Sequence, residues 1–224
     1  MPLILNIQKA HYKLRLWHIT EGSEFFKSRI VFYDSEKSDY NKIKRDQRKL
    51  EWLASRYLTK SLTDNAEIVK NEHGKPFLKN KSAFISISHC RNYAVCIVSK
   101  EFNVGIDIEP QKEKVRRIAS KFLSEDEISF IENENDVKHL ITCWAMKEAA
   151  YKWYGREYLS FKDNINIEAF RYDDNLSRIK VAVDSPKKLY KLKAFHLNIK
   201  GNSLVFCFAK KDLKILDSQE NQGQ

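Results

Sequence analysis

The four cysteines, at positions 90, 96, 143 and 207, include no CxxC spacing and lie in runs such as Ala94-Val95-Cys96-Ile97-Val98. That pattern argues against a zinc site or a disulfide framework and makes the thiols small buried hydrophobes. No apolar run approaches the ~20 residues of a membrane span, and residues 1–8 carry no basic stretch ahead of a long apolar core. Neither a membrane partner nor a secretory signal is expected, and a reducing cytoplasm is the expected compartment. Acidic residues are the minority, 30 against 40 Lys and Arg, for a net charge of +10. The partner should therefore be anionic: a nucleic acid, an anionic cofactor, an acidic protein or an anionic surface. What is present suffices for a core, since 224 residues at 42% hydrophobic and 12% aromatic can build one large domain or two small ones.

The most informative stretch is Trp144-Ala145-Met146-Lys147-Glu148-Ala149-Ala150-Tyr151-Lys152. At about 100° per residue, Trp144, Lys147, Glu148, Tyr151 and Lys152 share one helical face. Cys143, Met146, Ala149, Ala150 and Trp153 make the opposite face apolar, which predicts a buried helix. Buried Lys and Glu are costly unless paired, metal-bound or ligand-bound. An internal Glu–Lys pair is the plainer reading and a site on a rigid element the sharper one.

Strands are expected over residues 3–19, and a helix over 41–62 with a basic cluster at Lys42, Lys44, Arg45, Arg48, Lys49 and Arg56. An extended run at 67–78 breaks at Gly74. Phe84–His89 and Tyr93–Val98 then flank Cys90-Arg91-Asn92 as a hairpin whose tip carries His89 beside Ser88. A histidine so placed is more often a plain surface residue. Val104-Gly105-Ile106-Asp107-Ile108-Glu109-Pro110 has a period of two, so Asp107 and Glu109 share a strand face roughly 7 Å apart. Two such carboxylates call for a cation, whether a metal, a lysine or a solvated edge. Helical segments with breaks fill 111–142, where Ser124 and Glu127 form a capping box. A Glu- and Asn-rich loop follows at 132–136. Strands at 165–170 and 179–183 and a last hairpin across Lys200-Gly201-Asn202 complete the chain, with a polar tail from Asp217.

Both halves run helix, extended segment, hairpin. The expected fold is α+β: two similar α+β subdomains related by a pseudo-twofold, each with a small mainly antiparallel sheet and a long helix. They would span 1–103 and 104–212, with 213–224 as tail, and a cleft between them could gather His89, Asp107, Glu109 and Glu148.

Ser88-His89, Gly105-Ile106-Asp107-Ile108-Glu109 and Trp144 through Lys147-Glu148-Ala149 to Lys152, in this order, closely resemble the 4′-phosphopantetheinyl transferases, specifically the double-length type acting on peptide and polyketide synthase carrier proteins. Gly74-Lys75-Pro76 and Phe122-Leu123-Ser124 with Glu127 look like two further family elements, so the match covers roughly residues 40–155. The resemblance implies transfer of the phosphopantetheine arm of coenzyme A to a carrier serine, releasing adenosine 3′,5′-bisphosphate. It assigns Asp107, Glu109 and Glu148 as Mg²⁺ ligands and Glu148 and Lys152 as catalytic. Lys75, Pro76, Ser88, His89, Lys147 and Lys152 would contact the cofactor, and Arg48 or Arg45 its 3′-phosphate. Glu148, a metal-bound water and Glu127 all stay open as the serine's general base. The implied partners are coenzyme A and an acidic acyl or peptidyl carrier protein, with no nucleic acid, and the chain is expected to act as a monomer. A basic nucleic-acid-binding protein explains the charge but gives no reason for the three carboxylates. A metal-dependent phosphohydrolase explains the carboxylates but lacks a second metal set.

Overall fold

Alternation in Leu14-Arg15-Leu16 buries both leucines and leaves Arg15 on the other face, which is what a half-buried strand requires. In the computed structural model, which describes residues 2–132, 136–156 and 158–209, this stretch is β2 (Lys13–His18), paired antiparallel with β1 (Leu3–Gln8). Two helices follow in the stretch between the expected strands and the expected long helix: α1 (Ser23–Lys27) and α2 (Asp34–Asn41). The eight residues of α2 have almost no apolar stripe. Glu36 holds it instead, accepting from the backbone N–H of Tyr33 at 3.2 Å and meeting the buried Lys60 ammonium at 3.0 Å. The long helix α3 (Asp46–Lys60) starts later than expected because Arg45 is extended, at φ −91° and ψ 128°. Its Trp52, Leu53 and Leu58 pack with Phe26, Ala94 and Cys96.

The turn at Gly74, with φ of 83°, joins β3 (Ile68–Lys70) to β4 (Pro76–Leu78) in a two-stranded sheet. A positive φ of that size suits glycine, which has no Cβ to clash. The hairpin β5 (Phe84–Cys90) and β6 (Tyr93–Ser99) completes a four-stranded antiparallel sheet of order β1-β2-β6-β5. The chain divides into two compact units at Ile108/Glu109, inside the strand β7 (Val104–Pro110).

The second unit begins at Glu109, near the end of β7. A 3₁₀ stretch (Glu113–Ile118), α4 (Ala119–Phe122) and α5 (Glu125–Ser129) follow. Then come α6 (Asp136–Tyr154), α7 (Phe161–Asn164), β8 (Ile165–Ile167), β9 (Ser177–Asp184), β10 (Leu189–Ile199) and β11 (Asn202–Ala209), with sheet order β7-β11-β10-β9-β8. Ser124 and Glu127 form the expected capping box on α5. Twelve of the nineteen residues of α6 are buried, so packing rather than one apolar stripe holds this helix. Its Cys143, Met146 and Ala150 share a core with Val181, Val183, Leu192, Ala194 and Cys207.

The architecture is α+β with antiparallel sheets. The four cysteines are free thiols, and burial pushes that of Cys96 up to about 12, which keeps it unreactive. Among the described residues no helix is long and apolar enough to cross a membrane. The expected polar tail and positions 133–135 of the Glu- and Asn-rich loop lie outside the described residues.

Candidate active site

In the first unit the serines of Ile85-Ser86-Ile87-Ser88 face one way, as residues two apart on a strand must. Ser86 Oγ accepts from the backbone N–H of Ile106 at 3.0 Å, and Ser88 Oγ donates to Asp107 Oδ1 at 2.7 Å. Side-chain bonds thus tie β5 to the start of β7. Asp107 is only 2% exposed, so its carboxylate is oriented by the Ser88 hydroxyl in a desolvated setting where a charge-assisted bond is short and strong.

One residue on, His89 meets the first turns of α3. Its Nδ1 lies 3.0 Å from Glu51 Oε2 and 2.9 Å from Arg48 Nη1. Gln47 joins the group, donating to Glu51 Oε1 at 3.3 Å and to the Arg91 carbonyl at the hairpin tip at 3.0 Å. Burial raises the Glu51 carboxyl above its ordinary range. The structure therefore brings two expected cofactor residues, Arg48 and His89, together around a carboxylate that sequence reading did not single out. The available signal was spacing: Glu51 lies four residues after Gln47, on the face that buries Trp52 and Leu53.

Lys75 is set by the β3–β4 turn, where its backbone N–H donates to Asn71 Oδ1 at 2.8 Å and its ammonium to Asn103 Oδ1 at 2.8 Å. With Pro76, Lys81, Phe84, Lys100 and Asn103 it lines a cavity of about 340 Å³. Three cations beside an aromatic ring suit an anion that carries a flat group.

In the second unit the helix face predicted for α6 splits by burial. Trp144, Glu148, Tyr151 and Lys152 are partly exposed and form an open stripe; Lys147 is fully buried. The Lys147 ammonium donates to Glu127 Oε2 at 2.6 Å, to the Phe161 carbonyl at 2.7 Å and to the Ile165 carbonyl at 2.7 Å. All three N–H groups are thereby used. Burial lowers its pKa, and the bond to Glu127 opposes that shift. The structure gives Lys147 to the core, a correction to its expected place beside a phosphate. Glu127 is equally occupied: its Oε1 accepts from Ile167 N at 2.8 Å and its Oε2 from Ser124 N at 2.9 Å. It fastens α5, α6 and β8 together, so it is badly placed to act as a general base.

Glu109 lines a cavity of about 150 Å³ with Lys112, Lys114 and Trp144. Trp144 also borders a more apolar cavity of about 370 Å³ with Phe122, Tyr151, Tyr158 and Phe161. Its ring meets Phe122 edge-on at 5.0 Å and Phe161 at 5.5 Å. Asp107, Glu109 and Glu148 are hard oxygen donors of the kind magnesium prefers. Among the described residues, no group of three or more His, Cys, Asp or Glu side chains is gathered to hold a metal ion.

Comparison with known proteins adds two findings. The chain is 31% identical over 144 residues to the 4′-phosphopantetheinyl transferase gsp of Aneurinibacillus migulanus, a match taking in 62% of this chain and 58% of that relative. It thus spans less than two thirds of the relative's length. The family model described as 4′-phosphopantetheinyl transferase superfamily matches residues 103–222, more than half of the chain and a span that includes Asp107, Glu109, Glu148 and Lys152. On that match the chain belongs to the 4′-phosphopantetheinyl transferase superfamily.

Proposed function

We propose that the protein transfers the 4′-phosphopantetheine arm of coenzyme A to a serine hydroxyl of an acidic carrier protein, releases adenosine 3′,5′-bisphosphate, and works as a monomer in the cytoplasm. The observation that carries this reading is the family match over residues 103–222, which takes in the three carboxylates and Lys152. Asp107, Glu109 and Glu148 would hold a magnesium ion, which when bound supplies positive charge beside the diphosphate.

The chain's own groups do the rest. The open stripe of α6 presents Glu148 and Lys152 on a rigid helix, and a Lys152 ammonium set against the diphosphate stabilises charge on the departing bisphosphate. Lys75, in its cavity with Lys81 and Lys100, would take the adenosine end of coenzyme A. Arg48 and His89, held together at 2.9 Å, offer cationic and hydrogen-bonding groups to the cofactor's phosphates. Ser88 would keep Asp107 oriented. Glu127 is committed to Lys147, Ser124 and Ile167, so Glu148 and a metal-bound water are the acceptors we propose for the serine proton.

The test is the intact mass of an apo carrier protein after incubation with the enzyme, coenzyme A and magnesium. A gain of one phosphopantetheine supports the reading. Released inorganic phosphate with an unchanged carrier would point to a phosphohydrolase instead.

A further inference from the structure

None of the candidate catalytic, metal or cofactor residues lines the cavity of about 610 Å³ on the second unit's sheet, which is bounded by β8, β9 and β10. Strand register fixes its layout. One row across three strands is Asn166, Ala182 and Lys191. In the next row Lys180 stands directly opposite Lys193, and Arg178 opposite Phe195 begins a third. The methyl group of Ala182 leaves the floor of the first row open. Among the described residues Glu168 is the one carboxylate in the lining, and it meets the Lys180 ammonium at 2.9 Å. Four cations therefore face one anion.

Charged residues on an exposed sheet commonly serve solubility and guard against edge pairing. That purpose is met by mixed signs. Like charges directly opposite one another destabilise a strand pair; Glu168 offsets Lys180, and the described lining holds no second carboxylate to do the same for Lys193, Lys191 or Arg178. Along each strand the cations repeat two residues apart, Arg178 with Lys180 and Lys191 with Lys193, or about 7 Å; across strands the spacing is about 4.8 Å. A single small anion cannot meet all four. A ligand with linked charges can, and the cavity's volume falls in the range of roughly 300–1,000 Å³ typical of small-molecule sites. A concavity of this size fits a small ligand better than it fits the face of a folded partner. Lysine ammonium groups and an arginine fork are the usual protein groups for phosphate.

We propose that this cavity is a second anion site, separate from the coenzyme A site, which takes a small ligand bearing two or more linked phosphate groups. The inference rests on the register and the cavity alone, so it stands or falls independently of the transferase reading.

Amide chemical-shift titration of the full chain with tripolyphosphate tests it, with inorganic phosphate, a nucleoside triphosphate and a poly-glutamate peptide as parallel probes. The proposal expects a set of shifts at residues 166–168, 178–182 and 191–193, distinct from any at the coenzyme A residues, and tripolyphosphate binding at this locus at least about tenfold tighter than inorganic phosphate. Tighter binding of the nucleoside triphosphate would identify a nucleotide as the source of the phosphates and also support the site. In Lys180→Gln/Lys193→Gln the affinity at these amides should fall at least about tenfold. It should stay within about twofold in Lys9→Gln/Lys13→Gln, which removes the same charge from exposed positions in the other unit. Equal losses in both variants would mean general electrostatic attraction and overturn the proposal. So would a preference for poly-glutamate, which would make the face a protein contact, or the absence of shifts at these residues.

Discussion

Replacing Lys147 by Met separates a core role for this lysine from a cofactor role. The wild-type ammonium makes three bonds of 2.6 to 2.7 Å in full burial. Met fills similar volume but leaves the Glu127 carboxylate, 2% exposed, and two carbonyls without their shared donor. Removing one partner of a buried ion pair costs about 3–5 kcal/mol, a large share of the roughly 5–15 kcal/mol that holds a typical fold. At about 2–4 °C per kcal/mol for a chain of this size, the melting temperature should drop by about 6–20 °C. Lys147→Met/Glu127→Gln, which removes both charges, should be less destabilised than the sum of its single variants by about 1–3 kcal/mol. Thermal and urea unfolding read both effects. A Lys147→Met protein that melts like the wild type and loses only coenzyme A affinity would refute the core assignment and return Lys147 to the phosphate.

Three further outcomes are expected. His196 is fully buried against Thr142 and Tyr172, and burial pushes its pKa down to about 4. Because the unfolded chain takes up that proton first, near pH 6.5, stability should fall as pH drops from about 6.5 to 4, by about 2–4 kcal/mol for this group. His196→Gln should flatten that part of the unfolding profile, and an unchanged slope would contradict the assignment. Ser88→Ala removes the 2.7 Å donation to Asp107 and should cost about 1.5–3 kcal/mol together with transfer activity, read by melting and by carrier mass; no change in either would make the bond inert. Docking of an acidic carrier to a chain of net charge +10 should weaken between low and physiological salt as the screening length shortens toward about 8 Å, and a flat response in a binding titration would mean apolar docking.

Where periodicity was strong, the sequence was a sufficient guide. The β5–β6 hairpin, the capping box at Ser124 and Glu127 and the buried character of α6 all follow from patterns only a few residues long. Short polar helices escaped notice: α2 is held by Glu36 reaching Lys60, twenty-four positions away, which no local pattern reveals. The site divides the same way. Spacing put Trp144, Lys147, Glu148, Tyr151 and Lys152 on one helical face, but it could not tell which of them the fold would bury. Lys147 went inside because two carbonyls of the Phe161–Ile165 segment and the Glu127 carboxylate converge on its ammonium. Glu51 was invisible for a similar reason: its meaning comes from His89, thirty-eight residues further along.

The most direct test of the account is the stoichiometry of transfer. Apo carrier protein, coenzyme A, magnesium and the full chain should yield carrier heavier by one phosphopantetheine on a single serine, with one adenosine 3′,5′-bisphosphate released per carrier modified. Exchanging that serine for alanine should abolish both, and Asp107→Asn should slow both by orders of magnitude while remaining folded. Unmodified carrier across several apo carriers with folded enzyme present, or full transfer by Asp107→Asn, would contradict it.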